Sequence, residues 1–189
     1  MVHSTRQHLR TSILIKRHAL PSSDRLLATQ KIIKRIHALI PPDKPQCVAA
    51  YLAHQGEVDI ISWLNKSTHE LFLPVVEGEG TMNFYPYRSD DQLQASSIPG
   101  LREPRPTSHA VDAENLDIML LPMIGFNDQL FRLGHGGGYY DRYLQHKRHQ
   151  DHRKPILIGV AFACQLCQFD AMPWDIPMDA IITEEEIFR

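Results

Sequence analysis

Apolar positions recur in this chain first at helical spacing and then at strand spacing. Ser4-Thr5-Arg6-Gln7 fits a capping box, which predicts a first helix opening there. Arg6, Arg10 and Arg17 then lie at spacings of four and seven and form a basic stripe on one face, a pattern usual for a solvated surface. Pro21-Ser22-Ser23-Asp24 supply a stop and a new start. Leu26, Thr29, Ile33, Ile36 and Ile40 follow at alternating spacings of three and four, predicting a core-facing second helix that ends at Pro41-Pro42-Asp43.

Beyond residue 43 the pattern shortens. Cys47 to Ala53 predicts a buried strand, Ile60, Ile61, Trp63 and Leu64 a short helix, and Leu71 to Val76 another strand. Met82 to Tyr87 alternates as a strand should after the Gly78-Glu79-Gly80 turn. Residues 88–114 are polar and contain proline, predicting a long surface connection. Leu116 to Met123 is continuously apolar, as in a sheet covered on both faces. Ile156 to Ala163 repeats that character, and Ala180 to Thr183 adds a last strand. Strands alternating with helices predict an α/β protein: one layered domain over residues 1–189, with a mainly parallel central sheet flanked by helices in a Rossmann-like topology. Ligands of such sheets sit at the C-terminal ends of the strands.

Composition narrows the function classes. The 189 residues are 43% hydrophobic with a formal net charge of -2, which gives no electrostatic case for a nucleic-acid partner. No apolar run reaches membrane-spanning length, so no membrane partner is expected. Residues 1–23 are basic and lack Asp and Glu, a faint likeness to an organellar transit peptide, but they read better as part of the fold. The three cysteines Cys47, Cys164 and Cys167 argue against a disulfide framework and fit a reducing compartment, so a cytoplasmic location is expected. Cys164-x-x-Cys167 lacks the second pair that a zinc site needs. His146, His149 and His152 share one helix flank within a charged segment and read as a solvated helix end.

The strongest chemical signal is Arg132-Leu133-Gly134-His135-Gly136-Gly137-Gly138-Tyr139-Tyr140-Asp141-Arg142. Four glycines within five residues feed a predicted helix, the arrangement that turns backbone N–H groups toward an anion. Arg132 and Arg142 add charge, and Asp141 offers a hard oxygen for a divalent cation. The loop lacks the Lys-Ser/Thr ending of a P-loop and the glycine spacing of a dinucleotide fingerprint. A Gly-rich turn whose tyrosines pack a core remains the alternative, since Tyr139 and Tyr143 share a helix face.

Leu120-Leu121-Pro122-Met123-Ile124-Gly125-Phe126-Asn127, followed by Arg132 through Leu144, resembles the signature of the 5-formyltetrahydrofolate cyclo-ligase family, also called 5,10-methenyltetrahydrofolate synthetase. The likeness runs almost end to end. It takes in the basic N-terminal helix, Gly56-Glu57-Val58-Asp59, Leu73-Pro74, Leu101-Arg102-Glu103-Pro104 and Trp174-Asp175-Ile176-Pro177-Met178-Asp179. Asn127 stands where the family usually shows Asp, and Leu130 where it often shows Gly, which bears on the turn before Arg132.

The resemblance implies an ATP- and Mg2+-dependent C–N ligase that acts on 5-formyltetrahydrofolate as a small-molecule substrate, and a monomer is expected. It implies that Arg6 and Arg10 contact ATP phosphates together with the loop Arg132, Leu133, Gly134, His135, Gly136, Gly137, Gly138, Tyr139 and Tyr140. It places Leu52 and Glu57 on the folate, with His135, Gly136, Gly137, Gly138 and Tyr139 nearby. Asp141 and Asp179 fall on the magnesium positions, and Arg132 and Asp141 are the catalytic candidates. Two other readings stay open: a nucleotide- or folate-binding relative without turnover, and a sugar-phosphate-handling α/β enzyme.

Overall fold

The computed structural model describes residues 2–78, 80–106, 109–148 and 154–189. Two helices come first, α1 (Val2–His18) and α2 (Ser22–Leu39). The sheet strands are β1 (Cys47–Ala49), β2 (Glu70–Val76), β3 (Met82–Tyr87), β6 (Ile118–Pro122), β9 (Ile156–Val160), β10 (Ala180–Ile182) and β11 (Ile187–Phe188). Between them lie the short helix α3 (Ile61–Leu64), the hairpins β4 (Leu93–Ala95) with β5 (Arg102–Pro104) and β7 (Gly125–Phe126) with β8 (Arg132–Leu133), and the helix α4 (Tyr139–Tyr143).

The seven sheet strands take the order β11-β10-β9-β6-β1-β2-β3. The five central ones are parallel, with Val48 beside both Leu71 and Ile118, and Ile158 beside both Leu120 and Ala180. The two outer strands run antiparallel to their neighbours. The fold is therefore the mixed α/β arrangement with a mostly parallel sheet that the apolar runs predict. Leu120, Leu121, Leu157 and Ile181 are fully buried, because a parallel sheet is covered on both faces. The chain pairs β1 with β2 on one side and later returns to pair β6 on the other, so a crevice opens beyond the C-terminal ends of β1 and β6.

Several boundaries differ from the sequence reading, each for a physical reason. α1 already runs at Val2, two residues before the predicted cap at Ser4. The buried face of α2 is Ala28, Ile32 and Ile36, while Leu26 is 60% exposed, because the face that meets the sheet is rotated from the one the Leu/Thr/Ile spacing picked out. β1 stops at Ala49, after which Tyr51 and Leu52 leave the ladder to line the crevice. The 88–114 connection contains the small β4–β5 hairpin. His149 and His152 of the histidine flank lie outside the described residues. Cys164 and Cys167 are free and partly buried, and among the described residues no three metal-ligating side chains gather.

Candidate active site

The crevice is a cavity of about 510 Å³ that draws walls from α1, the turn after β1, strand β2, the glycine loop and the segment before β10. That size lies within the usual range for small-molecule sites. Five arginines and three carboxylates line it: Arg6, Arg10, Arg102, Arg132 and Arg142 against Glu57, Asp141 and Asp175. The protein as a whole is slightly acidic, so this local excess of cations is a property of the site.

Two arginines project from one side of α1. Arg6 donates from Nη2 to the Asp175 carboxylate at 2.6 Å and to the Asp170 carbonyl at 2.7 Å. Its Nε is buried and makes no hydrogen bond among the described residues. Arg10, one turn on, donates from Nε to the Gly134 carbonyl at 2.8 Å and so ties the helix to the glycine loop. Burial, and then the neighbouring charge of Arg6, pull Arg10 below the usual guanidinium value. Two cations crowded at a cavity wall are in repulsion that an anion would relieve.

The third member of the arginine stripe behaves differently. Arg17 is fully buried and donates to the carbonyls of Met123 and Gln55, so the solvated face expected of the stripe is not what forms.

Arg132 reaches the cavity because the β7–β8 hairpin folds back on itself. Its turn has Leu130 N–H donating to Asn127 O at 3.1 Å, with Leu130 in the left-handed region at φ 65°. Glycine would occupy that conformation without strain. The Asn127 side chain supports the turn, accepting from Phe131 N at 2.9 Å and donating to the Phe169 carbonyl at 3.1 Å. Both departures from the family pattern are thus accommodated by a formed turn. The buried Arg132 donates from Nη2 to Asp141 in a short ion pair and stacks over the Tyr140 ring. Its Nη1 is buried and makes no hydrogen bond among the described residues.

The glycine loop joins β8 to α4, with Gly136 at φ 97° and Gly138 at φ 68°. Those two left-handed residues curl the backbone around the cavity mouth, where no side chain but glycine sits without strain. α4 spans five residues, so it contributes little macrodipole, and the expected helix N-terminal field is weak here. Arg142 does not face the cavity as a free cation: it donates to the carbonyls of Gly80 and Gly137 and lies over the Tyr139 ring. The tyrosines divide between the cavity and the core. Tyr139 and Tyr140 line the cavity, while Tyr143 packs 4.9 Å from Phe84 and donates to the Val111 carbonyl. Desolvation raises the hydroxyls of Tyr140 and Tyr143 well above the ordinary phenol value.

Glu57 is 8% exposed on the opposite wall, beside Tyr51 and Leu52. Its Oε2 accepts from His54 N at 3.0 Å and its Oε1 lies 3.3 Å from His135 Nε2, which joins the glycine loop to the β1 turn.

Asp179, expected beside Asp141, lies apart from it. It is exposed at the start of β10, at the N-terminal end of the strands, where its carboxylate accepts from Leu157 N at 2.7 Å. It is absent from the cavity wall that holds Asp141. The aspartate of that C-terminal motif which does reach the cavity is Asp175, and the sequence reading did not single it out. The signal was present in part, since Arg6, which opens the basic stripe, needs a counterion, but nothing local pairs residues 6 and 175. Trp174 and Met172 join Asp175 on the wall and were likewise not singled out.

The chain is similar to known proteins over nearly its whole length. A family model described as the 5-formyltetrahydrofolate cyclo-ligase family matches residues 2–184. A 5-formyltetrahydrofolate cyclo-ligase of Mycoplasma pneumoniae is 31% identical over 179 residues, covering 94% of this chain and 97% of its own. One of Escherichia coli K12 is 28% identical over 181 residues, covering 92% and 97%. The solved structure of a 5,10-methenyltetrahydrofolate synthetase of Aquifex aeolicus superposes with a TM-score of 0.80 at 33% identity, covering 97% of this chain and 92% of that one.

Proposed function

The chain belongs to the 5-formyltetrahydrofolate cyclo-ligase family, and on that premise we propose that its cavity converts 5-formyltetrahydrofolate to 5,10-methenyltetrahydrofolate with ATP and Mg2+. The observation that carries the nucleotide part is the pair of buried, unpartnered guanidinium nitrogens, Arg6 Nε and Arg132 Nη1, on one cavity. An unmade hydrogen bond at a buried polar group costs about 1–3 kcal/mol, more for a charged one. Phosphate oxygens would offset the charge of the arginines gathered on this wall.

The chemistry explains why a nucleotide is consumed. A formamide carbon is a weak electrophile, and its oxygen is a poor leaving group. The formyl oxygen attacks the γ-phosphorus of ATP, the bond to the β-bridging oxygen breaks, and ADP departs. The folate's second nitrogen then attacks the activated carbon, the C–O bond breaks, inorganic phosphate leaves, and the nitrogen loses its proton. No protein nucleophile is required, so the residues act by positioning and by neutralising charge.

Each wall has a role in this reading. Arg6, Arg10 and Arg132 bind the phosphates, with Arg132 nearest the transferring group because it also anchors Asp141. The backbone of Gly134 to Gly138 curves around the same phosphates, with Leu133 leading into it and Tyr139 and Tyr140 closing it. In this reading Asp141 and Asp175, the two aspartates that line the cavity, would hold Mg2+, which typically takes one or two carboxylates together with phosphate oxygens and water. When bound, the ion neutralises charge on the polyphosphate. Glu57 accepts from the pterin edge, Leu52 and Tyr51 cover the ring, and His135 stands between the two substrates.

In this reading the protein acts as a monomer with residues 1–189 as one domain, which the lining of the cavity by described residues of a single chain supports. No described helix is long and apolar enough to cross a membrane, and the free cysteines suit the reducing cytoplasm. Purified protein given 5-formyltetrahydrofolate, ATP and magnesium should produce the methenyl chromophore with one ADP per product. No chromophore with ATP binding intact would favour a binding relative without turnover.

A further inference from the structure

Beyond the cavity wall, two arginines grip one turn. Arg17 is fully buried, yet its hydrogen-bond partners are carbonyls: Nη1 donates to Met123 O at 3.1 Å and Nη2 to Gln55 O at 2.8 Å. Arg25, on α2, donates from Nη1 to the next carbonyl, Gly56 O, at 2.8 Å, and from Nη2 to the backbone carbonyl of Arg17. The carbonyls of two consecutive residues are therefore each held by a separate guanidinium.

Those two residues are both left-handed, Gln55 at φ 48° and Gly56 at φ 81°. A non-glycine residue in that region costs energy and persists only where its surroundings over-determine it. The residue immediately after the turn is Glu57, whose N–H donates back to His54 O at 3.1 Å and whose carboxylate caps His54 N. The His54–Glu57 hydrogen bonds close the turn around Gln55 and Gly56, and the arginines add to that hold from outside it: the Gln55 side chain is exposed toward the cavity rim, whereas its carbonyl is held by Arg17. Burial pulls Arg17 below the usual guanidinium value while the negative charge of Glu57 opposes that, so the two groups sense each other without touching.

We infer that Arg17 and Arg25 are positioning residues: they lock the Gln55–Gly56 turn in its left-handed form and so aim the Glu57 carboxylate at the pterin edge. The inference rests on the assignment of Glu57 to folate. The arginine pair shapes recognition of one substrate of two: Arg6, Arg10 and Arg132 make their hydrogen bonds to Asp175, Gly134 and Asp141, and the turn meets the glycine loop only through Glu57 and His135.

The test is calorimetry of 5-formyltetrahydrofolate and of ATP–magnesium, each alone, on wild type, Arg17→Lys, Arg25→Leu, Glu57→Gln and the Arg25→Leu/Glu57→Gln double variant. Steady-state kinetics on the single variants accompany it. Arg17→Lys and Arg25→Leu should each weaken folate binding about tenfold and leave ATP binding within about twofold, as loss of a hydrogen bond to one subsite predicts. KM for folate should rise while KM for ATP holds. The double variant should bind folate no more weakly than Glu57→Gln, because residues acting through one group are not additive. Equal losses for both ligands, or folate losses that add to that of Glu57→Gln, would overturn the inference. If Glu57→Gln binds folate normally, the assignment of Glu57 fails instead. Arg25 lies nearer the surface than Arg17, so its variants decide the matter if Arg17→Lys does not fold.

Discussion

Replacing Asp141 and Asp179 one at a time by asparagine separates two aspartates that the sequence treats alike. Asp141 pairs with Arg132, with side-chain exposures of 28% and 6% respectively. Losing its charge leaves a buried guanidinium with a neutral partner. A charge-assisted hydrogen bond is worth about 1.5–3 kcal/mol, and partial exposure of the carboxylate puts this one at the lower end. At about 2–4 °C per kcal/mol for a chain of this size, Asp141→Asn should melt about 3–6 °C below wild type while staying folded at room temperature. Its turnover should fall further, by about a hundredfold or more, since in the proposed reading the carboxylate faces the transferring phosphoryl group and its ion. Asp179 is exposed, and its bond to Leu157 N survives in an amide that still accepts, so Asp179→Asn should cost under about 1 kcal/mol. Its magnesium response should match wild type. The assay is methenyl-product absorbance across a magnesium titration, beside a calorimetric melt of each variant. A wild-type magnesium curve in Asp141→Asn, or a lost one in Asp179→Asn, would refute the placement of the metal at the cavity.

Arg10→Ala should weaken ATP binding about ten- to a hundredfold with little change for folate, since it removes the proposed phosphate contact and the tie to Gly134; unchanged ATP calorimetry would make the residue a structural tie alone. Gly138→Ala should lose ATP affinity and about 1–2 kcal/mol of stability, because φ 68° disfavours a Cβ, and the added atom would sit 2.8 Å from Arg142 Nη1; wild-type affinity and melting would contradict the left-handed loop. Leu130→Gly should stay within about 1 kcal/mol of wild type, the relief of left-handed strain offsetting lost packing, and a large gain or loss on urea denaturation would show that the turn differs. Burial raises the Cys164 and Cys167 thiols, so the native state holds those protons more tightly than the unfolded chain. That contribution to stability is complete below the unfolded thiol value and is lost as pH rises through the raised native values. Iodoacetamide at pH 8 should therefore label both more slowly than a model peptide, and equal rates would exclude the shift.

The sheet was largely legible because its strands are short, continuous apolar runs, and a parallel sheet buried on both faces leaves that mark on Leu120, Leu121, Ile158 and Ile181. The arginines and glycines that line one side of the cavity were legible for a similar reason: glycine clusters and four-residue arginine spacing are local patterns. What escaped depends on distant partners. Arg17 looked like one more solvated charge because its carbonyl partners lie 38 and 106 residues away. Asp175 and Asp179 share a motif, and only the direction of β10 decides which of them faces the cavity. The β7–β8 hairpin has two-residue strands and Leu130 at the left-handed position, so neither periodicity nor a glycine announced it.

The central claim is that this cavity activates the formyl oxygen by phosphorylation. The most direct test uses 5-formyltetrahydrofolate labelled with 18O in the formyl group, turned over with unlabelled ATP and magnesium, and mass analysis of the phosphate released. One 18O atom should appear in each inorganic phosphate formed alongside methenyl product. Phosphate without 18O while methenyl product accumulates would contradict the account.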